Sequence, residues 1–167
     1  MKEQEKGTSP RDDGAVLNVG RKVTEAPIRF SVPCEPKGKS RPRFSGKFVY
    51  SDKKQVNWEQ MFALYANEHR PESPIEGPIS LSVLFVLNRP KRLLRKKDPD
   101  CKIACDKKPD LDNMIKSVQD SLNGQGWWHD DAQIARIVSG KCYSERGMPA
   151  RIEVQISPIT DPKERKE

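Results

Sequence analysis

The feature that most constrains the fold is a nine-residue run, Ile79 to Leu87, with the sequence ISLSVLFVL. Its first part is apolar on one side only, and its end is apolar on both sides. A strand of this kind must be covered on both faces at its end, as a central strand of a sheet is. The run is also far shorter than the ~18 apolar residues of a membrane-spanning helix. It therefore indicates the middle of a β-sheet.

Alternating segments predict further strands around this run. They lie at residues 27–33, 47–50, 134–143 and 151–157, and a turn at 146–149 joins the last two. With two helices between them, the main elements follow the order β-α-β-α-β-β. This order predicts an α+β fold in which two helices pack on a mixed sheet of about four to five strands.

Helical periodicity defines the two helices. The first is expected to run from a cap at Ser51 or Asp52 to about Arg70. The second should run from about Asp110 to Asn123, before glycines that act as stop signals. The first helix is predicted to have one apolar face, which consists of Trp58, Met61, Phe62 and Tyr65. The second is predicted to face the sheet with Leu111, Ile115, Val118 and Leu122, and to stop at Gly124 and Gly126.

Composition sets the domain organisation and the compartment. We expect one domain at residues 26–158, a polar and disordered tail at 1–25, and a charged tail at 159–167. No membrane span or apolar signal segment is evident, which indicates the cytoplasm. The four cysteines lack the paired spacing typical of zinc sites, so free thiols are expected.

The basic charge of the chain is concentrated in two segments. The formal net charge is +7, yet residues 37–54 and 89–108 each carry a net +6. Such clustering is typical of phosphate binding, because each neutralised phosphate releases counterions. Two solvated loops that keep the protein soluble are the alternative, and composition alone does not separate the two readings.

Lysines and arginines within these segments are candidate contacts to DNA. In PKGKSRPRF, four of them alternate strictly, so an extended backbone would point them the same way at roughly 6–7 Å intervals. Prolines at 36 and 42 favour an exposed arm over a central strand. An ordinary solvated loop is the alternative. The candidate DNA-binding residues are Lys37, Lys39, Arg41, Arg43, Arg89, Lys91, Arg92 and Lys108.

Two acidic motifs indicate a metal site. KPDLDNMIK contains Asp110, Asp112 and Lys116, and GWWHDDAQ contains Asp130 and Asp131. Carboxylates on a surface that attracts polyanions suggest a divalent cation acting on nucleic acid. The first two aspartates can converge where the chain turns into the helix, and Asp131 is expected in a loop that can fold back toward them.

Structural roles could explain each of these residues singly. Asp110 could cap the helix, and the pair Asp130–Asp131 could form an ordinary turn. Lys116 could pair with Asp112 or Asp120 along the helix. These roles explain neither the flanking basic segments nor three closely placed acids without a cation to lower their repulsion.

KPDLDN with Lys116, GWWHDDAQI and PKGKSRPRF together resemble the RusA family of Holliday-junction resolvases, over residues 27–157. The resemblance implies that Asp110, Asp112 and Asp131 are essential carboxylates that bind Mg²⁺, with Mn²⁺ as an alternative ion. It implies that Lys116 is the essential lysine, and Asp130 matches the neighbouring acid. It also implies a homodimer that is selective for four-way DNA junctions and needs no small-molecule cofactor.

The implied activity is paired, metal-dependent nicking of a junction in DNA recombination and repair. The ion would generate the attacking hydroxide and stabilise the leaving 3′ oxygen, while Lys116 adds a fixed positive charge. Two other functions remain open. One is a protein that binds branched DNA without cutting it, and the other is a general metal-dependent nuclease.

Overall fold

The computed structural model describes residues 26–39, 43–45, 48–50 and 52–159. These residues form a five-stranded mixed sheet, a two-stranded ladder and two α-helices, which confirms the predicted α+β class. The tail predicted at residues 1–25, and all of 159–167 except its first residue, lie outside the described residues. The elements are β1 (Ile28–Val32), β2 (Arg43–Ser45), β3 (Phe48–Tyr50), α1 (Lys53–Asn67), β4 (Ile79–Leu87), β5 (Ile103–Ala104), α2 (Leu111–Leu122), β6 (Ile134–Tyr143) and β7 (Arg151–Pro158).

Strand β4 lies at the centre of the large sheet, whose order is β1-β7-β4-β6-β5. It pairs antiparallel with β7 and parallel with β6, in a register that places Ile79 opposite Ile134 and Leu87 opposite Tyr143. Alternate residues of β4 are buried, and its last three are all buried. This confirms the central strand expected from the apolar run. Because β4 and β6 are parallel, the chain must cross over between them, and α2 lies in that connection.

The two helices pack against each other and against the sheet. Met114, Val118 and Leu122 of α2 are fully buried, together with Phe62 of α1. Burial of each such side chain stabilises the folded state by about 1.5–3 kcal/mol. Two small polar residues of α2 bond back to its own backbone. Ser117 Oγ donates to Asn113 O at 3.2 Å, and Ser121 Oγ donates to Ser117 O at 2.7 Å. Both hydroxyls are therefore hydrogen-bonded although the side chains are buried.

The buried faces of both helices differ in part from the predicted ones. On α1, Tyr65 was expected inside but is 42% exposed, whereas Ala63 and Ala66 are buried. The buried face of α1 consists of Gln55, Phe62, Ala63 and Ala66, and Tyr65 lies outside that face. On α2, Leu111 and Ile115 are only partly buried, because Met114 and the two serines face the core. A helix that contacts both a sheet and a second helix buries a wider face than one narrow stripe.

The sequence did not reveal two features of the sheet. The basic segment 89–108, for which the sequence predicted no regular element, contains a 3₁₀ turn at Lys91–Leu93 and the short strand β5. In addition, β6 and β7 follow each other in the chain but do not pair, since β4 lies between them. The predicted stop of α2 is confirmed by positive φ angles at Gly124 (72°) and Gly126 (81°), which favour glycine.

Candidate active site

The first acidic motif lies where the chain enters α2. Asp110 takes the N-cap position with extended backbone angles, and its carbonyl accepts from Met114 N at 3.2 Å. Lys141 of β6 holds the preceding segment, because its Nζ donates to Lys107 O at 2.7 Å and to Pro109 O at 2.8 Å. This lysine was missed in the sequence, where nothing links it to residues more than 30 positions away. The start of α2 is thus fixed to the C-terminal end of β6.

The carboxylates of this motif are exposed and available for a ligand. Asp110 lies at the N-cap position, as considered from the sequence, but its side chain makes no capping hydrogen bond. The capping role therefore gives no function to its carboxylate. Among the described residues, no hydrogen bond or ion pair involves the side chains of Asp110, Asp112 or Lys116. Of the two acids considered as helix partners of Lys116, Asp112 forms no ion pair with a described residue and Asp120 pairs with Lys39.

The second acidic motif contains two aspartates in different situations. Asp130 caps a 3₁₀ turn, since its side chain accepts from Ala132 N at 2.7 Å. Gln133 completes the capping box by accepting from the backbone N–H of Asp130 at 3.1 Å. The Asp-x-x-Gln spacing could have predicted this. The Asp131 side chain is exposed and bonds to no other described residue. A structural role in a turn therefore explains Asp130 but not Asp131.

Asp131 does not reach Asp110 within one chain. It directly precedes β6, which begins at Ile134, whereas the contact to Pro109 comes from Lys141 near the other end of β6. Seven residues of strand separate these two points, about 23 Å at 3.3 Å per residue. The expectation that the loop folds back toward Asp110 is therefore not met in the single chain.

Helix α2 gives a second measure of this separation. Its 12 residues span about 18 Å. Beyond its C-terminus, Trp127 O accepts from Ile75 N at 2.9 Å, and Gln133 Nε2 donates to Ile75 O at the same distance. The second motif thus lies at the C-terminal end of α2, and the first at its N-terminal end. Accordingly, no three His, Cys, Asp or Glu side chains converge as a metal site within the described residues.

A concavity of about 480 Å³ adjoins Asp110 and is lined by basic residues. Lys37 and Lys108 are in its wall, and Gly38 closes its base, because a Cβ there would lie 3.2 Å from Pro109 Cβ and 3.4 Å from Asn113 Cβ. Lysines beside an exposed carboxylate are suited to a phosphate that shares a cation with that carboxylate.

Two of the predicted DNA-binding residues make contacts within the fold. Lys39 bridges the helices, with its Nζ on Asp120 and 3.4 Å from Glu59 Oε1. Burial lowers the pKa of Lys39, but the hydrogen bond and charge of Asp120 outweigh this and raise it. Its backbone N–H donates to Asn113 O at 3.0 Å, so residues 36–39 lie against α2 and do not form an exposed arm.

Arg89 is buried and donates to the carbonyls of Ser144 (2.8 Å), Pro99 (2.5 Å) and Cys101. It holds the basic segment in place from inside. Arg146, which the sequence did not single out, also holds the basic segment, from the exposed side. Its guanidinium donates to the backbone carbonyls of Leu94, Arg95 and Asp98. A charge pattern cannot distinguish an arginine that binds phosphate from one that binds backbone carbonyls.

The other predicted DNA contacts stay predictions. Lys91, Arg92 and Lys108 are exposed. Arg41 lies outside the described residues, and of Arg43 only the backbone, in β2, is described. The four cysteines form no disulfide. No helix in the described part of the chain is long and apolar enough to cross a membrane.

Comparison with known proteins shows the family to which the chain belongs. Residues 33–157 match the model of the endodeoxyribonuclease RusA family. The chain is 36% identical over 142 residues to the uncharacterised protein YqaN of Bacillus subtilis, covering 80% of this chain and 97% of YqaN. It is 26% identical over 132 residues to the crossover junction endodeoxyribonuclease rusA of Lactococcus phage r1t, covering 77% of this chain and 92% of that protein. The chain therefore belongs to the RusA family of endodeoxyribonucleases.

Proposed function

We propose that the protein is a Mg²⁺-dependent endonuclease that resolves four-way DNA junctions by paired nicks. The observation that carries the proposal is the pair of exposed carboxylates of Asp110 and Asp112 at the start of α2, which bond to no other side chain in the described part of the chain and lie beside a lysine-lined concavity. The phage relative's name, a crossover junction endodeoxyribonuclease, supports branched DNA as the substrate.

The residues fit a magnesium ion. Mg²⁺ is usually held by one or two carboxylates together with water and substrate phosphate, so it needs no closed protein cage. Asp110 and Asp112 supply such a pair, and neither is engaged with another described side chain. When bound, the ion would polarise the scissile phosphate and lower the pKa of a water that attacks it. Mn²⁺ prefers the same oxygen ligands and could replace it.

Basic side chains near the carboxylates would position the DNA. Lys37 and Lys108 face the concavity beside Asp110, so a phosphate there would meet two cations. Lys116 lies one turn of α2 beyond Asp112 and is exposed. Its ammonium would add fixed positive charge where the pentacovalent phosphate develops negative charge.

Asp131 would act from a second copy of the chain. Within one chain it lies about 20 Å from the other carboxylates, by the strand and helix lengths given above. A two-fold homodimer would bring the start of β6 in one protomer to the start of α2 in the other. It would also create two equivalent sites, which match the two opposed strands that must be cut in a junction.

The test is cleavage of a labelled four-way junction, with and without Mg²⁺. Wild-type protein should nick two opposed strands only with the ion. Asp110→Asn, Asp112→Asn and Asp131→Asn should each abolish nicking while junction binding stays the same or tightens, because a repulsive charge near phosphate is lost.

Two outcomes would refute the proposal. Binding to the junction without any metal-dependent nick would make the protein a branched-DNA-binding protein. Equal cutting of linear duplex or RNA in competition with the junction would make it a general nuclease.

A further inference from the structure

The turn that carries Asp131 is short and exposed. Residues Asp131–Gln133 form a single 3₁₀ turn directly before strand β6. A turn of this length has poor hydrogen-bond geometry and is marginal without support from its surroundings. The Asp131 side chain is exposed and bonds to no other described residue, so it does not hold itself in place. The position of this carboxylate therefore depends on how the turn is attached to the rest of the fold.

The side chain of Gln133 makes this attachment. Its Oε1 accepts from the backbone N–H groups of His129 at 2.7 Å and Asp130 at 3.1 Å. Its Nε2 donates to the backbone carbonyls of Ile75 at 2.9 Å and Gly77 at 2.8 Å. A primary amide can accept two hydrogen bonds and donate two, so its full capacity is used. One side chain thus joins the acidic motif to the segment that precedes β4.

The two halves of this amide have different requirements. The oxygen completes the capping box of the 3₁₀ turn, which a glutamate at the same position can also do. The nitrogen has no counterpart in glutamate, because an ionised carboxylate accepts hydrogen bonds and donates none. A cap alone would therefore be satisfied by either residue, whereas the bonds to the carbonyls of Ile75 and Gly77 require an amide.

The segment to which the amide binds is itself firmly held. Ile75 is buried in the core, and its N–H donates to the carbonyl of the fully buried Trp127 at 2.9 Å. Beyond the two tryptophans, the described side-chain links to this segment are the Gln133 amide and a contact of 3.0 Å between His129 Nε2 and Glu76 Oε1. The second link lies at the surface, where such contacts stabilise little. The amide is thus the main link between the turn and the core.

We propose that Gln133 is a positioning residue, which fixes Asp131 for its role at the catalytic metal ion. The inference rests on the proposed function, because only that function gives the Asp131 carboxylate a ligand to hold. Asp131 lies in the same turn as Gln133, so a turn released from Ile75 and Gly77 would carry the carboxylate with it. A displacement of about 1 Å in a catalytic group can cost about 100-fold in rate.

The test is Gln133→Glu, which keeps the capping half of the side chain and removes the donating half. The rate of junction cutting at saturating protein should fall by about tenfold or more, and half-maximal cutting should require more Mg²⁺. Junction affinity should change by less than about twofold, since phosphate contacts lie elsewhere. Gln133→Met lacks both halves but adds no charge, so the same shift in Mg²⁺ requirement there would exclude an effect of the added charge.

Gln125→Glu is the matched control. It makes the same substitution near the same motif, where Oε1 of Gln125 accepts from Asn67 Nδ2 at 3.4 Å and no described residue accepts from its Nε2. A carboxylate preserves that acceptor, so the control should cut junctions as wild type does, with the same Mg²⁺ requirement. A control impaired as strongly as Gln133→Glu would assign the effect to added negative charge and overturn the proposal.

Hydrogen–deuterium exchange gives a readout that needs neither metal nor DNA. In Gln133→Glu the backbone amides of residues 132–134 should exchange about tenfold faster or more, whereas those of β4 and β7 should match wild type. Wild-type exchange in the turn, or a wild-type Mg²⁺ requirement, would reduce Gln133 to a cap and overturn the proposal. So would faster exchange throughout the sheet, which would make it a residue needed for folding. A wild-type protein that cuts no junction would instead reject the proposed function, and this role with it.

Discussion

Arg89 provides a sharp test of the structure, because its charge alone suggested a contact to DNA. The side chain is 9% exposed and donates to three backbone carbonyls. Each hydrogen bond from a charged group contributes about 1.5–3 kcal/mol. The carbonyls of Pro99 and Cys101 belong to exposed residues and can be rehydrated, whereas that of Ser144 belongs to a buried one. We therefore expect Arg89→Met to cost about 3–5 kcal/mol, below the sum of three full bonds.

The assay is urea unfolding followed by circular dichroism, with Lys91→Met as the control. Lys91 is exposed nearby in the same basic segment, so its loss should change the unfolding free energy by less than about 0.5 kcal/mol. Arg89→Lys should recover little of the loss, since an ammonium cannot reproduce the guanidinium fork. If Arg89→Met unfolds like Lys91→Met but weakens junction binding, Arg89 contacts DNA and the structural role is wrong.

Four further variants test other parts of the account. Lys116→Met should abolish cutting with an unchanged melting temperature, since Lys116 is exposed; a lower melting temperature would make it a stabilising residue instead. Lys37→Gln should flatten the slope of log affinity against log salt by up to about 0.9. Lys39→Gln should leave that slope unchanged and lower the unfolding free energy, because its charge is committed to an ion pair; the reverse result would restore the exposed arm. Burial raises the pKa of Glu153, but hydrogen bonds from Lys102 and Arg151 outweigh this effect and hold the pKa below 4.5. Its stabilisation is therefore present above pH 4.5 and lost as the pH falls through the lowered pKa, so Glu153→Gln should flatten acid unfolding in that window, and an unchanged acid profile would contradict the role of these bonds.

Local patterns predicted the main elements because local chemistry determines them. The apolar run of β4, the Asp52 cap of α1 and the glycines after α2 each act within a few residues. The buried faces of the helices were less predictable, because the position of each face depends on the neighbouring element. Tyr65 is exposed for this reason, and β5 is too short for periodicity to reveal.

The sequence could nominate the residues of the candidate site but not their geometry. The motif spacing selected Asp110, Asp112 and Lys116, and the structure places all three exposed, on the N-cap and first half of α2. The position of Asp131 depends on the path of β6, which no local pattern contains. Lys37 and Lys39 both line the concavity, and charge alone could not show that Lys39 pairs with Asp120 and Glu59 within the fold.

The measurement that most directly tests the central claim uses heterodimers of Asp110→Asn and Asp131→Asn chains, isolated with two different affinity tags. If each site takes its aspartates from both chains, one site per heterodimer is intact and the other lacks both residues. The heterodimer should then nick a four-way junction in the presence of Mg²⁺ at about half the wild-type rate. The product should be a junction cut in one strand only. A heterodimer as inactive as either parent would show that each site lies within a single chain, and would contradict the account.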